Sequence, residues 1–106
     1  MQGTSTKLRH VVMFGFKAAA GEAQVDELIA RFRALESLVP DIDAFEWGAN
    51  NSPEGLNQGH THAFTLTFPS EAARDAYLPH PHHKAFVEWA GPFIEKALVV
   101  DYWARD

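Results

Sequence analysis

Four stretches with a two-residue apolar period and two with a helical period follow one another in the order strand, helix, strand, strand, helix, strand. This order predicts a ferredoxin-like α+β sandwich, in which helices cover one face of a four-stranded antiparallel sheet. The length of 106 residues, without a linker or an internal repeat, suits one domain that buries its own core. We therefore expect residues 1–106 to form a single domain.

The first strand is predicted over residues 9–17, and a helix follows it. Alternate residues of the strand form one face: His10, Val12, Phe14 and Phe16. In the helix, acidic Glu22 and Asp26 lie near the positive N-terminal end, and Pro40 marks its end. The apolar residues of the helix recur at steps of three and four: Val25, Leu28, Ile29, Phe32, Leu35 and Val39.

Two further strands are predicted over residues 42–49 and 60–68, joined by a turn-rich connection over 50–59. One face of the third strand carries His60, His62, Phe64, Leu66 and Phe68. The sheet face away from the helices is expected to include Met13, Phe45, Trp47 and several threonines. Because that face mixes apolar and small polar groups, we expect a second copy to cover it, giving a homodimer with a dimeric α/β-barrel.

The second half of the chain is predicted to be helical before the last strand. Ser70 is placed to cap a short helix that runs towards Tyr77, where two prolines interrupt it. A second helical piece over residues 82–96, bent at Gly91-Pro92, turns four apolar residues inward: Phe86, Trp89, Phe93 and Ile94. The last strand is predicted over residues 98–104.

Composition restricts the partners and the compartment. The net charge of -5, with nine basic residues spread along the chain, gives no basic patch for nucleic acid. The absence of cysteine removes disulfides and thiolate sites and agrees with a reducing compartment. Neither a secretory signal nor a stretch near the roughly 20 apolar residues of a membrane span is visible. We expect a cytoplasmic protein without nucleic-acid or membrane partners.

Residues 77–86 contain three of the chain's six histidines, at positions 80, 82 and 83, together with Tyr77. A buried core has no need of three imidazoles, so this segment is the predicted site of chemistry. A neutral His83 can accept a proton near pH 7, and the Tyr77 phenol can donate to an enolate oxygen. An aldol closure of a keto compound needs only these two functions, so no cofactor is expected.

Several motifs resemble the stress-responsive dimeric α/β-barrel (Dabb) family over nearly the whole chain. They are His10-Val-Val-Met-Phe, Trp47-Gly48, Gly59-His-Thr-His62 with Phe64 and Phe68, and Tyr77 followed by His80-Pro81-x-His83 with Phe86. The resemblance extends to a polyketide cyclase of that family, which closes a linear chain by aldol condensation without metal or organic cofactor.

The resemblance to the cyclase implies a role for each matching residue. His83 becomes the acid/base histidine, Tyr77 the catalytic tyrosine, and Asp101 the group that steadies the histidine. His10 and His62 become pocket histidines. Beside them, we expect His80, Phe86 and Trp89 to contact a small hydrophobic substrate. At His82 and Lys84 the chain departs from the cyclase pattern.

Other interpretations of the same residues are open at this point. The clustered histidines also suit a helix boundary, and Tyr77, Phe86 and Trp89 also suit a packed core. His62, His80, His82 and His83 could gather around a metal, although the prolines constrain the backbone and no metal is expected. At the level of function, the alternatives are a non-catalytic stress or ligand-binding dimer and a cofactor-free monooxygenase of the dimeric barrel type.

Overall fold

The computed structural model describes residues 7–105, which form four strands and three α-helices. The elements are β1 (Leu8–Phe16), α1 (Glu22–Leu38), β2 (Ala44–Ala49), β3 (His62–Phe68), α2 (Glu71–Tyr77), α3 (Pro81–Ala90) and β4 (Ile94–Trp103), with a 3₁₀ turn at Gly91–Phe93. The predicted ferredoxin-like fold is confirmed. No helix within residues 7–105 has the length and apolar character needed to cross a membrane.

The sheet has the strand order β2-β3-β1-β4, and every neighbouring pair is antiparallel. The helices cover one face, where His10 of β1 is paired with Leu66 of β3 and with Asp101 of β4. Because paired residues point to the same face, all three lie on the helix side. The buried apolar core between the layers consists of Leu8, Val12, Phe14, Leu28, Phe32, Leu35, Val39, Ile42, Phe45, Phe64, Leu66, Phe68, Tyr77, Phe86 and Ala90.

The predicted helix over residues 82–96 is wrong at its C-terminal end. The α-helix ends at Ala90, a 3₁₀ turn covers Gly91–Phe93, and β4 begins at Ile94 rather than at residue 98. Proline at the second position of the turn stops the α-helix there instead of only bending it, since it lacks the amide that the helix needs. Ile94 is therefore a strand residue.

The assignment of Phe45 and Trp47 to the face away from the helices is also wrong. Phe45 is paired with Leu66 and Trp47 with Phe64, so both side chains point to the helix side. The Phe45 ring is buried against Phe32 of α1, with ring centroids 5.3 Å apart. Trp47 lies at the edge of the same layer, stacked on Phe64 and 41% exposed.

We call the uncovered side of the sheet the open face and define it by Val11, Met13, Thr65, Leu98, Val100 and Tyr102. Its apolar side chains on β4 are about half exposed in the single chain. Thr67 of β3 also lies on this side, where its hydroxyl accepts a hydrogen bond from Arg9. The open face thus combines apolar groups with small polar groups, as the sequence predicts.

Candidate functional site

Four of the predicted site residues come together beneath α2 and α3, at the end of the sheet where β1 begins. The Tyr77 ring lies at the centre, 4.3 Å from the His83 ring and 5.9 Å from the His10 ring, measured between centroids. Phe68 of β3 packs on both Tyr77 and His10. Asp101 of β4 is bonded to His10. We call Tyr77, His83, His10 and Asp101 the histidine–tyrosine cluster.

His83 is held in a defined tautomer by the main chain. Its Nδ1 lies 2.8 Å from the carbonyl oxygen of Leu78. A carbonyl can only accept, so Nδ1 carries the proton and the basic lone pair is on Nε2. Burial lowers the pKa of His83, and the nearby His10 and His80 act in the same direction, while the hydrogen bond to Leu78 opposes them. The ring is therefore neutral at pH 7, in the form that accepts a proton.

Tyr77 is completely buried, and its hydroxyl finds no hydrogen-bond partner among residues 7–105. The helix α2 ends at this residue, and the short turn to α3 brings His83 against it. Burial strongly raises the pKa of Tyr77, so the phenol keeps its proton. The residue can donate a hydrogen bond but cannot serve as a phenolate base near neutral pH.

Asp101 does not contact His83, contrary to the prediction from the resemblance. Its Oδ1 lies 2.8 Å from Nδ1 of His10, and its Oδ2 lies 2.9 Å from Nη1 of Arg74. The strand pairing explains this choice, because Asp101 is directly opposite His10 in the β1–β4 register. The carbonyl of Leu78, rather than the carboxylate of Asp101, fixes the tautomer of His83.

His80 and His82 have structural roles at the start of α3. His80 is the N-cap, and its Nδ1 accepts the amide hydrogen of His82 at 3.1 Å. The two rings stack with centroids 5.5 Å apart, and His82 is exposed. His80 also lowers the pKa of His83 through its electrostatic effect. Within residues 7–105, no group of three or more metal-ligating side chains is close enough to hold an ion.

The remaining predicted contacts lie away from the cluster. His62 is paired with Phe14, four residues along β1 from His10, which is about 13 Å at strand spacing. It packs between Trp47 and Phe16 instead. Burial lowers the pKa of His62, against the opposing effect of Asp26.

The two helix aromatics support the packing of α3 on α1. Phe86 is buried against Phe32, with ring centroids 4.8 Å apart. Trp89 lies under the guanidinium of Arg31, at 4.2 Å from its ring centroid. Phe86 and Trp89 therefore both have packing partners on α1 in the helix layer.

Arg74 is bonded to the cluster through Asp101 and was missed from the sequence. It precedes Tyr77 by one helical turn, so both side chains project from the same side of α2. Besides Asp101, it binds Asp75, and both hydrogen bonds raise its pKa, so the guanidinium stays charged. The available signal was the position of Arg74 three residues before a candidate tyrosine. The partner of Arg74, Asp101, lies 27 positions away on β4, where no local pattern points to it.

The fold and the cluster define a class of protein: a ferredoxin-like α+β domain with a histidine–tyrosine pair between its helices and its sheet. The family model of the stress responsive A/B barrel domain (Dabb) matches residues 8–104. The chain therefore belongs to the Dabb family.

Three relatives show the range of proteins that this chain is similar to. The stress-response A/B barrel domain-containing protein HS1 of Arabidopsis thaliana is 35% identical over 102 residues, covering 96% of this chain and 94% of the relative. Olivetolic acid cyclase of Cannabis sativa is 30% identical over 98 residues, with coverage of 92% and 97%. The solved structure of a hydroxynitrile lyase from Passiflora edulis superposes with a TM-score of 0.87 at 29% identity, with coverage of 92% and 93%.

A solved ferredoxin-like protein from Jannaschia, described as dimeric, has the same fold. Its TM-score is 0.77 at 26% identity, and the match covers 92% of this chain and 99% of that one.

Proposed function

We propose that this chain is a cofactor-independent acid–base catalyst that acts on a small hydrophobic keto compound. His83 is the base and Tyr77 the hydrogen-bond donor, and the reaction is an aldol-type formation or cleavage of a carbon–carbon bond. The observation that supports this most is the hydrogen bond between His83 Nδ1 and Leu78, because it presents a neutral imidazole with its lone pair on Nε2.

The two side chains have complementary tasks in such a reaction. In the closing direction, Nε2 of His83 takes a proton from the carbon next to a carbonyl, and the resulting enolate attacks a second carbonyl of the same molecule. The hydroxyl of Tyr77 donates to the oxygen on which negative charge develops. The imidazolium then returns its proton to the new alkoxide, so that acid and base are regenerated.

The surroundings of the cluster favour an uncharged, apolar substrate. The Tyr77 ring is enclosed by Phe68 and His10, and the cation nearest to it along α2, Arg74, is already bound by two carboxylates. Two of the similar proteins are an olivetolic acid cyclase and a hydroxynitrile lyase. Both names imply carbon–carbon bond chemistry at a carbonyl carbon. A 2,4-diketone or a longer poly-β-keto chain fits these requirements.

Replacing His83 with alanine tests the proposal directly. We expect H83A to lower the rate of conversion of a poly-β-keto substrate at least about a hundredfold, as the loss of a general base does. The exposed neighbour His82 offers a matched control, since H82A makes the same change one position away in α3. Product formation is followed by chromatography, with circular dichroism to check the fold.

Two results would contradict the proposal. One is an H83A protein that converts the substrate as fast as the parent. The other is a parent protein in which a diketone shifts the His83 ring signals in an NMR titration but is recovered unchanged, which would identify a non-catalytic binder.

Because burial lowers the pKa of His83, the rate of the parent should stay constant when the pH is lowered through 6.5 and fall only in more acidic solution.

The functional unit in this proposal is a homodimer joined through the open face. Leu98, Val100 and Tyr102 are 45%, 51% and 49% exposed in the single chain, so this face presents neighbouring apolar side chains to solvent. The dimeric description of the Jannaschia protein supports a homodimer.

A further inference from the structure

We propose that the connection between β2 and β3, residues 50–61, is a preformed arm that contacts a second copy of this chain, with Leu56 as its apolar anchor. The inference deepens the homodimer of the proposed function and rests on it. It adds the arm to the interface that the open face forms, and it involves no residue of the histidine–tyrosine cluster.

The arm is held in one conformation by hydrogen bonds at its base and near its end. The amide of Asn50 donates to the carbonyl of Thr61 at 2.8 Å, which joins the two ends of the arm. Nζ of Lys96 on β4 donates to the carbonyl of Gln58, also at 2.8 Å. Because the segment is already ordered in the single chain, it loses little conformational entropy when it binds a partner.

Leu56 is the apolar side chain that the arm presents to solvent. It is 69% exposed, and no large apolar side chain among residues 7–105 is more exposed. One exposed leucine is ordinary on a protein surface, but this one borders a groove of about 750 Å³. Met13, Thr65 and Leu98 of the open face line the floor of that groove, and the arm forms its wall. The groove is therefore continuous with the open face.

A second copy on the open face has to fill this groove. Two packed sheets lie about 10 Å apart, and protein interiors contain few voids larger than a water molecule. A copy that covers Met13 and Leu98 covers the floor of the groove, so its side chains occupy the space and contact Leu56 on the wall. In a two-fold dimer the same contact occurs twice, once from each arm.

Substitutions of Leu56 test the contact through the dissociation constant of the dimer, measured by analytical ultracentrifugation. We expect L56E to raise this constant at least about a hundredfold, because a carboxylate would be buried without a partner. L56A should raise it about tenfold, through the loss of apolar burial alone. L38E is the matched control, since Leu38 is 47% exposed at the end of α1 in the helix layer, and it should leave the constant unchanged.

A second measurement needs no substitution and so does not depend on the folding of a variant. In a mixed dimer of one ¹³C-labelled and one unlabelled chain, isotope-filtered NMR detects only contacts between the two copies. The methyl groups of Leu56 should show nuclear Overhauser effects to protons of the other copy. The methyl groups of Leu38 should show none.

The inference is overturned if Leu56 shows no contact between copies in the parent dimer, or if folded L56E has the dissociation constant of the parent. V100E separates this failure from that of the open-face dimer, because Val100 is 51% exposed on the open face. A monomeric V100E beside a dimeric L56E would refute the arm and leave the open-face dimer standing. A parent that is monomeric would overturn both, whereas turnover of a keto substrate decides the acid–base reaction alone.

Discussion

At the scale of single residues, Tyr77 combines complete burial with a hydroxyl that has no hydrogen-bond partner among residues 7–105. A buried polar group without a partner costs about 1–3 kcal/mol of stability. The side chain is 0% exposed and packs on His83, His10 and Phe68. Its ring therefore stabilises the core, whereas burial of its hydroxyl without a hydrogen bond destabilises the fold. Such a conflict is typical of a residue that serves a ligand, whose oxygen then supplies the missing partner.

Replacing Tyr77 with phenylalanine separates these two roles. We expect Y77F to leave the free energy of unfolding unchanged or to raise it by about 1 kcal/mol, because the orphaned hydroxyl is removed and the ring stays. The same variant should lose conversion of the keto substrate. Urea unfolding and the product assay give the two values.

The chain offers its other tyrosine as a control for this prediction. Tyr102 is 49% exposed on the open face, and Y102F should change neither the site nor its activity in the folded protein. A Y77F protein that is clearly less stable than the parent would show that the hydroxyl has a stabilising partner. In that case the ligand-binding interpretation of Tyr77 would lose its basis.

The residue types of the site could be predicted from the sequence, but not their connections. His83 and Tyr77 stand in one short segment with prolines, so local pattern alone placed them together. Asp101 was assigned to His83, yet its partner depends on the β1–β4 register, which joins residues 91 positions apart. No local pattern contains that register. The role of Arg74 was missed for the same reason, because its partner Asp101 is also on β4.

At the scale of elements, the connection between β2 and β3 is fixed to the sheet at its end near Gly15. The amide of Thr61 donates to Phe14, and Nζ of Lys96 donates to the carbonyl of Gln58. Gly59, with a φ of 83°, brings its carbonyl so close to Gly15 that a Cβ on Gly15 would lie 2.3 Å from the oxygen. The tight contact is possible only because Gly15 has no side chain.

Replacing Gly15 with alanine should therefore displace this connection. We expect G15A to lower the free energy of unfolding by about 1–3 kcal/mol, since the new methyl group meets backbone rather than a flexible side chain. Thermal or urea unfolding measures the change. The matched variant G48A, in β2, has no atom within 4 Å of the new Cβ and should be neutral or slightly stabilising. Equal stability of G15A and the parent would refute the contact.

The elements also show where periodicity succeeds and where it fails. The alternation in β1 and β3 and the three- and four-residue steps in α1 predicted those elements to within a few residues, because each buries a single face. Ile94 continues the helical apolar spacing of Phe86 and Trp89, but the 3₁₀ turn at Gly91–Phe93 redirects the chain into β4. Strand pairing with β1 from Phe16 onward then outweighs the local helical pattern.

At the scale of the whole molecule, β1 serves both faces of the sheet. His10 points into the histidine–tyrosine cluster, whereas its neighbour Val11 points to the open face, where it is paired with Val100. A dimer through the open face therefore leaves the cluster on the opposite side in each copy. The site of each chain should be complete without residues of the partner.

A charged residue on the open face tests this arrangement. Leu98 is 45% exposed and is paired with Met13, so L98E places a carboxylate within the proposed interface. We expect L98E to be a monomer at micromolar concentration in light scattering after size exclusion, because burying an unpaired charge opposes association.

V87E provides the control, since Val87 is 50% exposed on α3, in the helix layer on the other side of the sheet. It should remain a dimer, and the His83 ring signals of monomeric L98E should match those of the parent. A parent that is already monomeric, or an L98E dimer, would overturn the interface, whereas changed His83 signals in a folded L98E monomer would show that the cluster depends on the partner.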